Sequence, residues 1–439
     1  MSVPSRRQGV RPAFSQATAE DDLRPMPAQA GLPTGSQPLR SEYVQISTIE
    51  EAYEFFGPLS SEQRQWRSAR YFDPLLKSAR AKLGVGEHDR AEAYIFGCGP
   101  YPTLDSSAHR SHFPVSVKVL YATQMTLAPG ETLDLTAVPT EFPWDIHDQE
   151  PYLLLNVQRL QFGRHSTLRV NGNVFILKCE EALADGLHDG YATIQVGASN
   201  AVQQRSFQRT GLAPRTLLHG ADGCAGADGP PPTVESTPLG VKAVADGQPR
   251  AGGAGSDGSG GSNGLPGRNG AMLFLTDLRF ARLSGFGHHG LHLQAQAGAG
   301  FDGTPGGNGG QGGPGGAGSD GLVTAFGVVP AHEGGPGGRG GAGGAGGKGG
   351  NGGLSCDLFV SVPEHDASAF LPQTLPSQGG RGGAGGKGGK GGTGGPSGWI
   401  TALACDAAHG PVGADGPDGH DGRSGKSRDA PRVHIFTHT

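Results

Sequence analysis

The chain has 439 residues, of which 80 are glycine and 33 proline, and its net charge is −5. Glycine at 18 %, against a usual share of about 7 %, excludes a long helical bundle or coiled coil, because each helical glycine costs about 1 kcal/mol; it also argues against a doubly wound α/β enzyme as the whole molecule. A pI near 6.3 excludes a general attraction to nucleic acid.

Residues 1–40 are rich in Pro, Gln, Ser and Arg and read as a disordered arm. The basic N-terminus is followed by no apolar h-region, so no Sec signal peptide is expected; localisation is not fixed, and export by a non-classical route or assembly into a particle stays open. No apolar run is long enough for a membrane span. Residues 41–90 read as a helical cap or head. Thr48 with Glu51 forms a capping box, Asp73-Pro74 opens a second helix, and Gly84 ends it. Tyr53, Phe55, Phe56, Trp66, Tyr71 and Phe72 supply its apolar contacts.

Residues 91–215 read as a β body, with strands expected at Val115–Thr123, Thr132–Val138, Leu153–Phe162, Thr167–Lys178 and Tyr191–Val196. A weak echo relates Leu154–Phe162 to Met272–Phe280, since both run Leu, polar gap, Leu-x-Phe. Such echoes suit stacked coils of a β-solenoid, and they also suit a sandwich. The five cysteines (Cys98, Cys179, Cys224, Cys356, Cys405) contain no C-x-x-C pair, so neither a zinc site nor a disulfide framework is indicated.

From 216 to 439 the composition changes. Only 14 glycines precede residue 201 and 66 follow it, mostly at a spacing of three. Gly252 to Gly270, Gly300 to Gly321 and Gly410 to Gly425 keep that phase without a slip, and Gly220 to Gly229 is a shorter run. Two tracts carry doubled glycines, 334–353 and 379–395. Their first-column glycines include Gly334, Gly337, Gly340, Gly343, Gly346 and Gly349 in one tract, and Gly379, Gly382, Gly385 and Gly388 in the other. Period three selects a helix with three residues per turn and no internal hydrogen bonds, the polyproline II or polyglycine II geometry. Its N–H and C=O groups point sideways and need partners on neighbouring chains. A Gly-Gly-X tract clears two faces for a close backbone; a Gly-X-Y tract clears one. We therefore expect a bundle of polyglycine II helices in which 334–353, 379–395 and part of 306–316 are central. The tracts 220–229, 252–270 and 410–425 should be peripheral. Seven triplets span about 60–65 Å at ~3.1 Å per residue. Arg339, Lys348, Arg381, Lys387 and Lys390 sit on doubled tracts, and Asp222, Asp228, Asp257, Asp302, Asp415, Asp418 and Asp421 on single ones. Acidic outer tracts either face basic inner ones or are simply solvated. Short apolar runs between tracts read as strands: Ala271–Leu275, Leu322–Val329, Asp357–Val362, Trp399–Cys405 and Arg432–Thr437. The fold class is thus mainly β: a solenoid or sandwich body with a polyglycine II bundle, preceded by a small helical region.

Candidate chemistry is sparse. Gly260-Gly-Ser-Asn-Gly264 matches a nucleophile elbow by letters, yet it lies inside a period-three tract instead of between a strand and a helix. Gly422–Ser427 lacks the first glycine of a phosphate loop, because that position is His420. No catalytic residue, metal or cofactor is assigned. Two clusters are candidate binding residues. Trp144, Asp145, Asp148 and Glu150 combine an aromatic ring with carboxylates, the usual equipment of a sugar site. His288, His289 and His292 cluster around a glycine-rich turn.

The period-three tracts between about 220 and 425 resemble polyglycine II sandwich domains, which occur at the tips of phage tail-fibre adhesins and in the glycine-rich domain of Obg-type GTPases. They also look like the glycine-rich repeats of mycobacterial PE-PGRS surface proteins. The missing phosphate loop excludes the GTPase. The phage resemblance implies a non-enzymatic scaffold that presents variable loops for receptor binding, here expected at Phe286–Leu293, Pro330–Glu333 and Pro363–Gln378. The implied partner is a cell-surface glycan or protein, or another copy in a homo-oligomer. The alternatives are a polysaccharide-acting enzyme on a β-solenoid and a secreted toxin or effector.

Overall fold

The computed structural model describes residues 39–57, 59, 63, 91–92, 95–96, 112–146, 150–184, 190–199, 219–244, 251–286, 290–400, 402–403 and 405–438. All but the last two residues of the expected arm, whose Arg40 opens a strand, and most of the helical segment up to residue 90 lie outside the described residues. The fold is mainly β. In chain order come β1 (Arg40–Ile46), α1 (Ile49–Phe56), β2 (Val115–Leu127), β3 (Thr132–Asp134), β4 (Tyr152–Phe162), β5 (Thr167–Asn171), β6 (Val174–Ala184) and β7 (Ala192–Gly197). There follow β8 (Val234–Thr237), β9 (Gly240–Ala243), β10 (Thr276–Ser284), β11 (Leu291–Gln296), β12 (Leu322–Thr324) and β13 (Gly327–Val329). The last are β14 (Leu358–Pro363), β15 (Phe370–Leu375), β16 (Trp399–Ile400), β17 (Cys405–Asp406) and β18 (Val433–His438).

Two sheets form the body. One has the order β1-β2-β4-β6-β10-β14-β18 and the other β15-β11-β7-β5-β3. Apart from β1, which runs antiparallel to β2, every pairing in them is parallel. From β2 onward the chain alternates between the two sheets, and neither closes into a barrel among the described residues. Leu153, Leu155, Phe175 and Leu177 of the larger sheet share one buried core with Leu168, Ile194, Leu291 and Leu293 of the smaller. Alternate residues of the larger sheet, including Val117, Val119, Leu154 and Ile176, face the other way into a second core with Ala52 and Phe56 of α1.

The helix starts where the sequence says. Thr48 Oγ1 accepts the Glu51 N–H at 3.2 Å, while Glu51 reaches back to the Ser47 N–H at 2.8 Å. At its other end Arg279 donates to Phe56 O at 2.9 Å and Lys178 to Phe55 O at 3.3 Å, two cations at the negative pole of the helix. Arg279 is also paired at 2.8 Å with Asp277, whose side chain is fully buried. Burial, with Arg279 as a second cause, lowers the Lys178 pKa to about 8.

Several strand expectations need correction. Thr167–Lys178 is two strands in different sheets, because Gly172 turns at φ +68° and Asn173 ties the turn down by bonding the backbone of Ala137 and Pro151. Thr132–Val138 is a strand only to Asp134. The strand near Ala271–Leu275 begins later, at Thr276, where the parallel ladder with Phe175 starts. The echo between 154–162 and 272–280 is not the sheet register: Leu153 and Thr276 both pair with Phe175, a shift of five residues from the alignment by letters. Leu322–Val329 and Trp399–Cys405 are not body strands. They are short antiparallel hairpins, β12–β13 and β16–β17, because a turn interrupts each run after two or three residues. Pro363–Gln378 is not a free loop, since β15 within it joins the smaller sheet.

Between β7 and β10, β11 and β14, and β15 and β18 the chain makes three excursions. Each is a glycine tract, a hairpin and a returning tract. Tracts 1 (219–229) and 2 (251–270) flank β8–β9, tracts 3 (298–321) and 4 (332–353) flank β12–β13, and tracts 5 (378–398) and 6 (408–427) flank β16–β17. Neighbours along the chain run antiparallel: Gly380 donates to Gly350 O, Gly386 to Gly344 O and Gly395 to Gly335 O, all at 2.8 Å. Alternate tracts run parallel: Gly303 donates to Arg381 O and Gly312 to Lys390 O. The result is a two-layer array. Tracts 3 and 4 each bond four others, tracts 2 and 5 three, and tracts 1 and 6 two.

Glycine doubles where a second backbone presses on the tract. A Cβ on Gly340 would strike the Gly389 carbonyl of tract 5, and one on Gly341 the Ser259 carbonyl of tract 2. Tract 3 doubles its glycines only over 306–316, alongside tract 1; Gly310, Gly313 and Gly316 face the carbonyls of Ala221, Cys224 and Ala227. Beyond the end of tract 1 the same column holds Phe301 and Thr304. Tract 2 corrects the expectation that single-glycine tracts are peripheral, for it has three neighbours. Ser256 and Ser259 occupy its second column, and their hydroxyls accept the Cys224 and Ala221 N–H groups of tract 1 at 2.6 Å.

Candidate functional site

Each triplet of an inner tract has three N–H groups to satisfy. In tract 4 Gly340 donates to Ala414 O of tract 6 and Gly341 to Gly310 O of tract 3. The third N–H, of Arg339, goes to the Asp257 carboxylate at 2.7 Å. The acidic residues repeat this role throughout. Asp222, Asp228, Asp302, Asp415, Asp418 and Asp421 each accept a backbone N–H of an adjacent tract at 2.6–2.8 Å. Asn263, Asn269, Asn308 and Asn351 do the same at 2.9 Å. The carboxylates are therefore neither simply solvated nor generally paired with inner cations. Lys387 with Asp418, at 2.9 Å, adds an ion pair to the backbone bond.

This lattice holds three hairpins side by side. Gly240 lies against the Ala325 side chain, and Gly321 lies against Ile400 and donates to Trp399 O. The hairpins share a pattern that the sequence reading missed: Thr237-Pro-Leu-Gly-Val241, Thr324-Ala-Phe-Gly-Val328 and Thr401-Ala-Leu-Ala-Cys405. In the first two the Thr hydroxyl donates to the Gly carbonyl, Thr237 to Gly240 at 2.6 Å and Thr324 to Gly327 at 2.8 Å. Both glycines have positive φ, +121° and +144°. The third position of the pattern is apolar and turned outward: Leu239, Phe326 and Leu403 are 78, 52 and 54 % exposed. Of the fourteen large apolar residues exposed among the described residues, eight lie in these hairpins.

The residues singled out from sequence lie elsewhere. Trp144 sits in the connection from β3 to β4; its indole N–H donates to Ser116 Oγ at 2.9 Å and its ring packs 6.0 Å from Phe142, which meets Tyr43 at 5.1 Å. Asp145 beside it is exposed and Glu150 is half-buried. His292 is on β11, stacked on Tyr191 at 4.5 Å, with Nδ1 3.0 Å from Gln373 Nε2. Asp148, His288 and His289 lie outside the described residues. Gly334, Gly337, Gly340, Gly343, Gly346 and Gly349 all donate to carbonyls of tract 6. Gly379, Gly385 and Gly388 donate to Ser427, Asp421 and Asp418 side chains of tract 6, and Gly382 packs on the Gly422 carbonyl. No cluster of three or more metal-binding side chains is present among the described residues. No helix among them is long and apolar enough to cross a membrane.

No family model, curated protein or solved structure matches the chain.

Proposed function

We propose that this protein is a non-enzymatic display scaffold whose working surface is the row of three hairpin tips, and that the tips dock on an apolar patch of a partner protein. On this reading the six tracts are polyglycine II helices and the two alternating sheets are coils of a β-solenoid that anchors them. The observation that carries it is the recurrence of an exposed Leu239, Phe326 and Leu403 at one position of three adjacent hairpins. Exposed apolar side chains gathered in one place mark interaction surfaces, whereas scattered ones carry no such meaning. Backbone-to-backbone packing behind them fixes their spacing, so a partner meets preorganised anchors and little ordering cost opposes binding. The partner is a cell-surface protein or a second copy of the chain.

The test uses the full chain with Leu239, Phe326 and Leu403 all changed to Asp. Fluorescent wild-type protein is applied to a panel of intact bacterial and animal cells, and its self-association is measured by sedimentation velocity. The reading expects retention or self-association that the triple variant abolishes and Lys387→Ala leaves intact. Binding that survives the triple change overturns it.

A further inference from the structure

The smaller sheet carries a second surface, independent of the hairpins. Ile194 and Val196, and Leu293 and Ala295, face the core, so Gln195 and Gln294 point the opposite way. Parallel pairing puts Gln195, Gln294 and Gln373 in one row across β7, β11 and β15. Next along the strands, Gln296 follows on β11 and donates to Pro376 O at 3.0 Å. Where this row meets the root of tract 3 at Gly298 and Ala299 there is an open groove of about 610 Å³.

Its chemistry is uniform. No charged side chain lines it, and its polar groups are the four glutamine amides and Thr374. The amides are held in place by one another and by neighbouring groups. Gln294 Nε2 donates to Gln373 Oε1 at 3.1 Å, Gln373 Nε2 meets His292 Nδ1, and Gln195 Oε1 accepts from Arg169 at 2.8 Å. A primary amide has two N–H donors and a carbonyl with two lone pairs. The Gln294–Gln373 bond uses one donor of Gln294, which leaves its second N–H and its carbonyl for a ligand. A row of groups that both donate and accept, at the ~4.8 Å strand spacing, matches ligands whose groups also do both. Hydroxyls do; carboxylates and ammonium groups do not, and the one cation bonded to the row, Arg169, spends its Nε–H on Gln195.

We propose that this groove binds a neutral oligosaccharide through the Gln195–Gln294–Gln373 row. The test is calorimetric titration of the full chain with cellohexaose, maltohexaose and chitin hexasaccharide, each to about 10 mM, beside an oligogalacturonate of similar length. The expected result is binding of at least one neutral sugar and not of the anionic one. Gln294→Leu and, separately, Gln373→Leu should each weaken it about tenfold, with circular dichroism unchanged, while Phe326→Asp leaves it as it was. Failure of all three neutral sugars, equal binding of the oligogalacturonate, or indifference to both Leu variants would overturn the assignment.

Discussion

Asp418 holds Lys387 in two ways: its carboxylate accepts the ammonium at 2.9 Å and, through the other oxygen, the N–H of Gly388, the next residue along. The carboxyl pKa is lowered, first by the Gly388 N–H and then by Lys387. Its stabilising effect is therefore present above the ordinary carboxylate range and is lost as the pH falls through the lowered value. Thermal melts of wild type and Asp418→Ala should differ modestly at pH 7, in favour of wild type, and converge as the pH falls through the lowered value and the carboxylate becomes protonated in both states. Asp418→Asn keeps an acceptor and should lie between them.

Glycine positions within one bundle should differ sharply in tolerance. Gly341→Ala puts a methyl group into the Ser259 carbonyl, while at Gly260 the nearest atom to an added Cβ is 3.5 Å away. Overpacking should cost Gly341→Ala about 1–3 kcal/mol. Gly260→Ala should be neutral, or stabilising by about 0.4–1 kcal/mol through a less flexible unfolded chain. Urea titrations of the two variants decide it.

Lys178 makes stability depend on pH on the alkaline side. Its folded pKa is lowered to about 8, so between there and the ordinary lysine value of 10.5 the unfolded chain binds more protons. Stability should therefore rise over that interval, by up to about 3 kcal/mol. Tyr43 and Tyr121, whose pKa values burial raises, oppose the trend above pH 10. Lys178→Met should flatten the rise, measured by urea unfolding at pH 7.5 and 9.5.

Thiol reactivity should separate the cysteines. Burial pushes the Cys179 thiol up to about 12, Cys356 is buried too, and Cys224 on tract 1 is exposed. In a chain with Cys98 and Cys405 changed to Ser, an aromatic disulfide reagent at pH 8 should label Cys224 within minutes. Cys179 and Cys356 should react only after denaturation. Fast labelling of Cys179 would contradict the burial of β6.

Sequence and structure agree best where one residue type answers to one contact. The doubled glycines at 334–353 announce close backbones on two sides because any Cβ would meet a carbonyl there. Tract 2 was harder to read, because serine at 256 and 259 does the work of a second glycine by bonding the neighbour that its Cβ faces. The split at Gly172 is marked only by the short Asn171-Gly172-Asn173 turn signal, which the apolar runs on both sides of it obscure. The hairpins escaped notice because Thr-x-Leu/Phe recurs at an interval set by excursion length, and the apolar residue reads as a strand until its exposure is known. The amide row depends on pairing between positions 79 or more residues apart, and no local pattern carries that.

The out-and-back course of the excursions has a mechanical consequence. The bonds between tracts lie across the tract axis, and they tie the pair formed by tracts 3 and 4 to its four neighbours: Gly220 of tract 1 donates to Asn308 O, Gly252 of tract 2 to Glu333 O, Gly303 to Arg381 O of tract 5 and Gly340 to Ala414 O of tract 6. A pull on the β12–β13 hairpin along that axis loads these bonds together in shear; a sideways pull would open them one after another. Force applied at the tips is thus carried into the sheets as it is in a rope of short fibres. Single-molecule extension from Phe326 should show one abrupt, high-force rupture in place of a staircase.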